Sequence, residues 1–195
     1  FINLLVDSMG RLTVVWYHRD RGNLMMARGD AMGRFAAPVI LDGERMGRDT
    51  GDRGIYASAA LGTGDTVHVA YVDGWEERLL HVTVRGAMVM GEPEVIDDGT
   101  GVGMMSFDDG RHIIGDSASI TVAPDGAVRV AYQDATQGTL RLASRTGTTW
   151  TQRVLDSNDH TGYWASIAGN RVATWWRNLS DAGMRRWGVR VLPLP

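Results

Sequence analysis

Residues 116–156 read DSASITVAPDGAVRVAYQDATQGTLRLASRTGTTWTQRVLD, and their reading decides the fold. Four short runs alternate with turn signals. Ser119–Val122 leads into Pro124-Asp125-Gly126, and Val128–Tyr132 into the turn from Asp134 to Gly138. Leu140–Ala143 leads into Thr146-Gly147, and Trp150–Leu155 stops at Asp156. Short runs rich in Val, Thr and aromatic residues, bounded by Gly, Asp and Pro, are strands joined by tight turns. The stretch is one antiparallel four-stranded unit.

The unit recurs. An aromatic residue ends the second strand each time: Trp16, Tyr71, Tyr132 and Trp176. Eight residues after each stands a large apolar residue: Leu24, Leu79, Leu140 and Met184. Thirteen residues before the first three stand Asn3, Ser58 and Ser119; in the fourth copy Ser166 lies ten before. The last strands end alike, in Leu41-Asp42, Ile96-Asp97 and Leu155-Asp156. Constant internal offsets with uneven loops mean a fixed strand unit. Four strands at a period of roughly 45–60 residues fit a propeller blade. The competing architecture, a large sandwich or barrel, does not require such self-similarity. The expected fold is all-β: four propeller blades of four antiparallel strands, as one domain over 1–195 that is whole or part of a larger ring. The blades fall at about 1–42, 55–97, 116–156 and 163–195, with an insertion at 98–115.

The pattern S-I-x-V-x-x-D-G-x-V-x-V-A-Y-x-D followed by L-x-x-A, carried best by 116–156, resembles the repeats of bacterial secreted β-propellers. These are loosely related to sialidase-like and Asp-box propellers. The resemblance implies a propeller located extracellularly, at the cell surface or in the periplasm; members of the group differ in what they bind. Trp16-Tyr17-His18 and Trp175-Trp176-Arg177-Asn178 depart from the pattern. Ser106-Phe107-Asp108-Asp109-Gly110 matches the start of an Asp box, but Ile113 replaces the aromatic that should follow, and the motif lies between blades.

Composition excludes several classes. The 195 residues are 44% hydrophobic, enough for one packed core, and 25 Gly suit many tight turns. A net charge of −3 gives no electrostatic case for nucleic acid or an anionic membrane. No apolar stretch approaches the roughly 18–20 residues of a membrane span. Every basic residue is Arg, so Schiff-base chemistry has no lysine and each cation is a planar, bidentate group. Cysteine is absent, and with it disulfides, thiolate metal sites and thiol nucleophiles. The chain opens with Phe1-Ile2-Asn3 inside a strand and without Met, which reads as a cleavage product or the ordered part of something longer.

Connections from fourth to first strand, and from second to third, open on one face of a propeller. That face is expected to hold the site. Gly54–Ser58, Gly115–Ser119 and Gly162–Ser166 share G-x-x-x-S, a small residue near a crowded axis. Two residues before each Ser stand Tyr56, Ser117 and Trp164, expected around the channel mouth. Two residues after each anchor stand His18, Asp73, Asp134 and Asn178, either closing Asx-type turns or facing a ligand. Trp75 tips the second-blade turn, His160 lies in the connection to the fourth blade, and Arg177 sits on the same face. The candidate ligand residues are therefore Tyr56, Trp75, Asp73, Asp134, His160, Trp164, Arg177 and Asn178. No cofactor is expected. Calcium is a weak candidate at Asp97, Asp98, Asp108 and Asp109, since it takes several oxygen ligands, although the EF-hand spacing is absent.

No Tyr/Glu pair, Ser/His/Asp order or H-E-x-x-H motif can be assigned. The expected function is a non-enzymatic binding or scaffold module for a glycan or a protein. Its alternatives are a sialidase-like glycoside hydrolase fragment completed by other chain, and a structural subunit of a surface assembly. Further blades, from the same precursor or a second copy, are expected partners.

Overall fold

The computed structural model describes residues 1–44, 51–100, 111–178 and 186–195. Within them the chain forms four antiparallel sheets in chain order. Blade 1 holds β1 (Ile2–Val6), β2 (Leu12–His18), β3 (Asn23–Gly29) and β4 (Val39–Asp42). Blade 2 holds β5 (Arg53–Leu61), β6 (Thr66–Asp73), β7 (Arg78–Arg85), β8 (Met88–Val89) and β9 (Glu94–Asp97). Its outer strand comes in two pieces, since β8 and β9 both pair with β7. Blade 3 holds β10 (Ile114–Val122), β11 (Val128–Asp134), β12 (Thr139–Thr146) and β13 (Thr149–Asp156). Blade 4 holds β14 (His160–Ala168), β15 (Arg171–Asn178) and β16 (Arg186–Pro193).

Blade 4 departs from the sequence expectation. In the sequence, Met184–Trp187 and Val189–Leu192 read as two separate strands. The described part, Arg186–Pro193, is one unbroken strand along β15, with Trp176 opposite Gly188. A Cβ on Gly188 would lie 3.2 Å from the Trp176 indole nitrogen, so this glycine makes room for a ring rather than a turn. Trp187, paired with Arg177, takes the register place of Leu79 and Leu140. Met184 lies outside the described residues.

Apolar layers fill the three spaces between blades. Val15, Leu24, Met26 and Leu41 of blade 1 meet Val67, Val69, Tyr71, Leu80 and Val82 of blade 2. Ala70, Val72, Leu79 and Ile96 then meet Val130, Tyr132, Ala143 and Trp150 of blade 3. Ala131, Leu140 and Leu142 meet Val172, Leu192 and Leu194 of blade 4. Both faces of the middle sheets are covered, so β6 and β11 are buried along nearly their whole length.

Polar latches cross the same spaces. The Tyr71 hydroxyl donates to Asp42 at 2.6 Å, and the Tyr132 hydroxyl to Asp97 at 2.6 Å. The aspartate ending one blade thus accepts from the anchor aromatic of the next. In the third space Trp176 has no hydroxyl; Arg190 instead pairs with Asp156 and lies 5.1 Å over the Trp176 ring. Tyr71 and Tyr132 are fully buried. Trp16 and Trp176, which hold the same place in the repeat, are only half-buried. Trp16 lies on the side of blade 1 that no other blade covers among the described residues, and the Trp176 ring is capped by a guanidinium.

Nearer the axis, side chains join first strand to first strand. Asn3 donates to the Ala57 carbonyl at 2.9 Å. The Ile120 N–H donates to Ser58 Oγ at 3.1 Å, and the Ile167 N–H to Ser119 Oγ at 3.0 Å. The repeated small polar residue is therefore an inter-blade fastener. On the loop face, the Arg53 N–H donates to Gly22 O, Gly74 to Asp52, Ala135 to Ile113 and Thr161 to Gly138. These bonds bring the inter-blade connections onto the second-to-third-strand turns, all on one face.

Candidate site at the channel mouth

The three G-x-x-x-S segments open β5, β10 and β14 with the same irregularity. Pairing with the second strand shifts register before Ser58, Ser119 and Ser166. Within each shift one non-glycine residue is left-handed: Tyr56 at φ 53°, Ser117 at φ 54° and Trp164 at φ 48°. A bulky residue in this region costs on the order of 1–3 kcal/mol and persists where its surroundings over-determine it. The preceding glycines permit the bulge. Gly162 has φ 95°, and a Cβ there would stand 2.9 Å from the Thr139 carbonyl oxygen.

Ser117 and Trp164 line a cavity of about 260 Å³ with Phe1, Asn3, Ser58 and Ser119. Tyr56 meets Phe1 edge-on, ring centroids 4.9 Å apart. The Trp164 ring is 68% exposed and leans on Trp175 at 5.5 Å. Trp175 meets Tyr163 at 5.2 Å, and the Arg177 guanidinium lies 5.1 Å over Tyr163. Of the sequence candidates, Trp164 and Arg177 thus belong to one aromatic cluster, while Tyr56 packs on Phe1 at the edge of the cavity that Trp164 lines.

Two acidic residues that sequence reading missed adjoin it. Asp116 is half-buried beside the bulge, and its side chain makes no hydrogen bond or ion pair among the described residues. Burial first, and Glu77 second, raise its pKa above the ordinary carboxylate value. Burial and the Asp116 charge likewise raise that of the Tyr56 hydroxyl. Glu77 itself adopts φ 50°. The available signal was an acid inside a repeat motif whose other copies carry Ile55 and Tyr163 there.

The remaining candidates lie elsewhere. Asp73 is fully buried; it pairs with Arg53 at 2.8 Å and Arg78 at 3.0 Å, and accepts from the Trp75 N–H at 3.1 Å. Asp134 is buried against His112 at 2.9 Å and accepts from the Gln137 N–H at 2.9 Å. Both carboxylates close turns inside the blades. His160 begins β14, exposed, its ring against the Gly138 backbone. Asn178 ends β15, paired with Arg186.

Trp75, 70% exposed, lines a separate cavity of about 570 Å³ between blades 1 and 2 with Arg19, Asp20, Glu44 and Asp52. The Tyr17 hydroxyl donates to Asp52 there, and burial with this bond pushes its pKa up to about 12. Asp97 is a latch, bound to the Tyr132 hydroxyl and to Arg141 at 3.3 Å. Asp98 accepts from the Thr100 N–H at 3.0 Å. Asp108 and Asp109, and the Asp-box-like segment with them, lie outside the described residues. Among the described residues no group of three or more His, Asp or Glu is placed to hold a metal.

No protein-family model and no curated protein matches the sequence. Solved structures do. A protein of unknown function from Dyadobacter fermentans superposes with a TM-score of 0.62 at 17% identity, over 98% of this chain and 52% of that one. The Hadza microbial sialidase Hz136 gives 0.60 at 13% identity, over 97% and 43%. The GH93 α-L-arabinofuranosidase of Fusarium graminearum gives 0.60 at 10%, over 98% and 57%. The chain spans about half the length of these structures. At such identities the likeness concerns the fold, and with the four radial sheets it establishes these residues as blades of a β-propeller of the kind those glycosidases share.

Proposed function

We propose that this chain forms part of a glycan-binding face, with the sugar seated at the channel mouth on Tyr56 and Trp164 and no chemistry performed on it. One observation carries the reading: the left-handed bulge recurs in three blades, two of its residues, Ser117 and Trp164, line one cavity, and the third, Tyr56, packs on Phe1 of the same lining. Exposed aromatic faces stack on the C–H faces of sugars, and nearby polar groups fix the hydroxyls. Ser117, Asn3 and Asp116 supply such groups. The solved sialidase and arabinofuranosidase with this fold make sialylated and arabino-oligosaccharides the first probes. Titration calorimetry of the chain with both sets, against the Trp164→Ala/Tyr56→Ala double variant, tests it. The expected result is binding to one set, weakened at least about tenfold, or roughly 1.4 kcal/mol, in the variant. Unchanged affinity removes the channel mouth from consideration.

A second reading follows from Asp116. A carboxyl group whose pKa is raised by burial, with a second acid, Glu77, acting on it, is the kind of pairing that glycoside hydrolysis uses, one group as acid and one as base or nucleophile. Aryl glycosides of the same sugars decide between the readings. Turnover that Asp116→Asn abolishes while binding persists makes the site catalytic; binding without turnover keeps it a lectin-like face.

A further inference from the structure

The four blades form an open arc whose two end faces repeat, group by group, the chemistry of its internal interfaces. Blade 1 exposes Ile2, Leu4 and Val6 at 78%, 60% and 55%, beside half-buried Val14, Trp16 and Met25. By register these are the places of Ala57, Ala59, Leu61, Val69, Tyr71 and Leu80, which blade 2 packs against blade 1. Blade 4 exposes Trp187, Val189 and Val191 at 69%, 70% and 53%. These take the places of Leu79, His81 and Thr83 on the side of blade 2 that meets blade 3.

The polar devices also stop in mid-series. Asn3, Ser58 and Ser119 each fasten the first strand of the following blade. Ser166 is the next member. It is exposed, and its side chain makes no hydrogen bond among the described residues. At the other end Trp16 holds the place from which Tyr71 and Tyr132 donate to the terminal aspartate of the preceding blade, and among the described residues its indole N–H meets no such acceptor. Finally, blade 4 has three strands where the others have an outer one, so the outer edge of β16 is unpaired among the described residues. Soluble proteins cover long edges and apolar patches beyond a few hundred Å².

We propose that both end faces are seats for further four-stranded blades of this same repeat. At blade 1 the occupant ends its outer strand in an aspartate that accepts from Trp16. At blade 4 its first-strand N–H donates to Ser166. A second copy of the chain fits less well. Head to tail, it would bring blade 4 against Trp16, and blade 4 has no described outer strand to supply the aspartate. Structures of this fold about twice as long provide room for such blades.

The test joins a copy of residues 114–159, blade 3 with its connection, ahead of Phe1. Binding of an apolar dye and the emission of Trp16, isolated by difference with Trp16→Phe, are compared with the original chain. The added blade should lower dye binding and shift Trp16 emission to the blue, and Asp156→Asn in the added copy should reverse part of that shift. A folded fusion with unchanged dye binding and emission overturns the proposal. Should the fusion not fold, Leu4→Arg and Val189→Arg in the original chain should each cut dye binding and self-association while leaving the melting temperature in place. A dye-free monomer indifferent to both refutes the seats. A closed dimer in sedimentation that abolishes dye binding makes the occupant a second copy and overturns the choice of partner.

Discussion

Replacing Tyr132 by Phe removes one oxygen from the space between blades 2 and 3 and tests the latch that joins them. The ring stays, so no cavity opens. The lost bond, 2.6 Å from the Tyr132 hydroxyl to Asp97, joins a neutral donor to a carboxylate. Burial, with the neighbouring Asp97, raises the pKa of this hydroxyl far above the usual tyrosine value, so it is a donor at any working pH. Hydrogen bonds to charged groups contribute about 1.5–3 kcal/mol. Asp97 would keep Arg141 at 3.3 Å and the Gly99 N–H at 3.0 Å, so it is not orphaned and the lower half applies, about 1.5–2 kcal/mol. For a domain of this size each kcal/mol moves Tm by about 2–4 °C, which gives a fall of roughly 3–8 °C. Urea unfolding followed by circular dichroism, in a cycle with Asp97→Ala, should return a coupling of about 1 kcal/mol or more. A Tyr132→Phe change within about 0.5 kcal/mol would show that the latch contributes nothing. Trp16→Phe is the control: without an acceptor, it should stay within that same band in this chain.

Acidification should destabilise the fold. His68 Nδ1 lies 3.0 Å from His81 Nε2, whose Nδ1 meets Glu94, itself held by Arg145 and Trp150. Burial depresses the His68 pKa to about 4 and lowers that of His81. Hydrogen bonds from His81, Arg145 and Trp150 outweigh burial and depress Glu94. The unfolded chain therefore takes up protons first. Stability is full above pH 6.5 and is lost as pH falls toward 4, with Glu94 adding to the loss below that; His68→Gln should flatten the upper part of a Tm–pH curve. Gly162→Ala should cost more than about 1 kcal/mol in the same urea assay, because φ 95° and a backbone oxygen 2.9 Å away leave no room for a methyl group. Trp75→Ala should leave stability within about 0.5 kcal/mol, since 70% of the side chain already faces solvent; a larger drop in thermal melts would make it a lid over the core.

The blade unit was legible because its determinants are local. Turn residues and alternation mark each strand, and the anchor-to-Leu offset survives loop variation in the first three blades. The aspartates after Leu41, Ile96 and Leu155 were visible as a recurring ending, but their purpose was not, since the tyrosines they hold lie in the next blade. The length of β16 was not legible, because nothing in the sequence shows that Gly188 admits the Trp176 indole. Asp73 and Asp134 were read both as turn formers and as ligand acceptors; their burial against Arg53 and His112 depends on neighbours distant in sequence. The bulges were least legible. Nothing local predicts Tyr56 or Trp164 at positive φ, where such residues are rare, and only the threefold recurrence of the motif marks the position.

Because each latch belongs to a pair of adjacent blades, the arc behaves as a chain of nearest-neighbour couplings rather than as one indivisible core. β6 and β11 sit between two couplings and present almost wholly buried faces, whereas β16 alternates between exposed and half-buried along its length. Opening should therefore start at blade 4, whose coupling is a guanidinium on Asp156 rather than a tyrosine hydroxyl, and at the bare side of blade 1. Amide exchange would then be slowest on the two inner second strands and fastest on β16, with blades 2 and 3 opening together as the last cooperative unit. The channel mouth straddles that gradient. Tyr56 and Ser117 are carried by the slow unit and Trp164 by the fast one, so one wall of the site is rigid on a timescale on which the other can come and go.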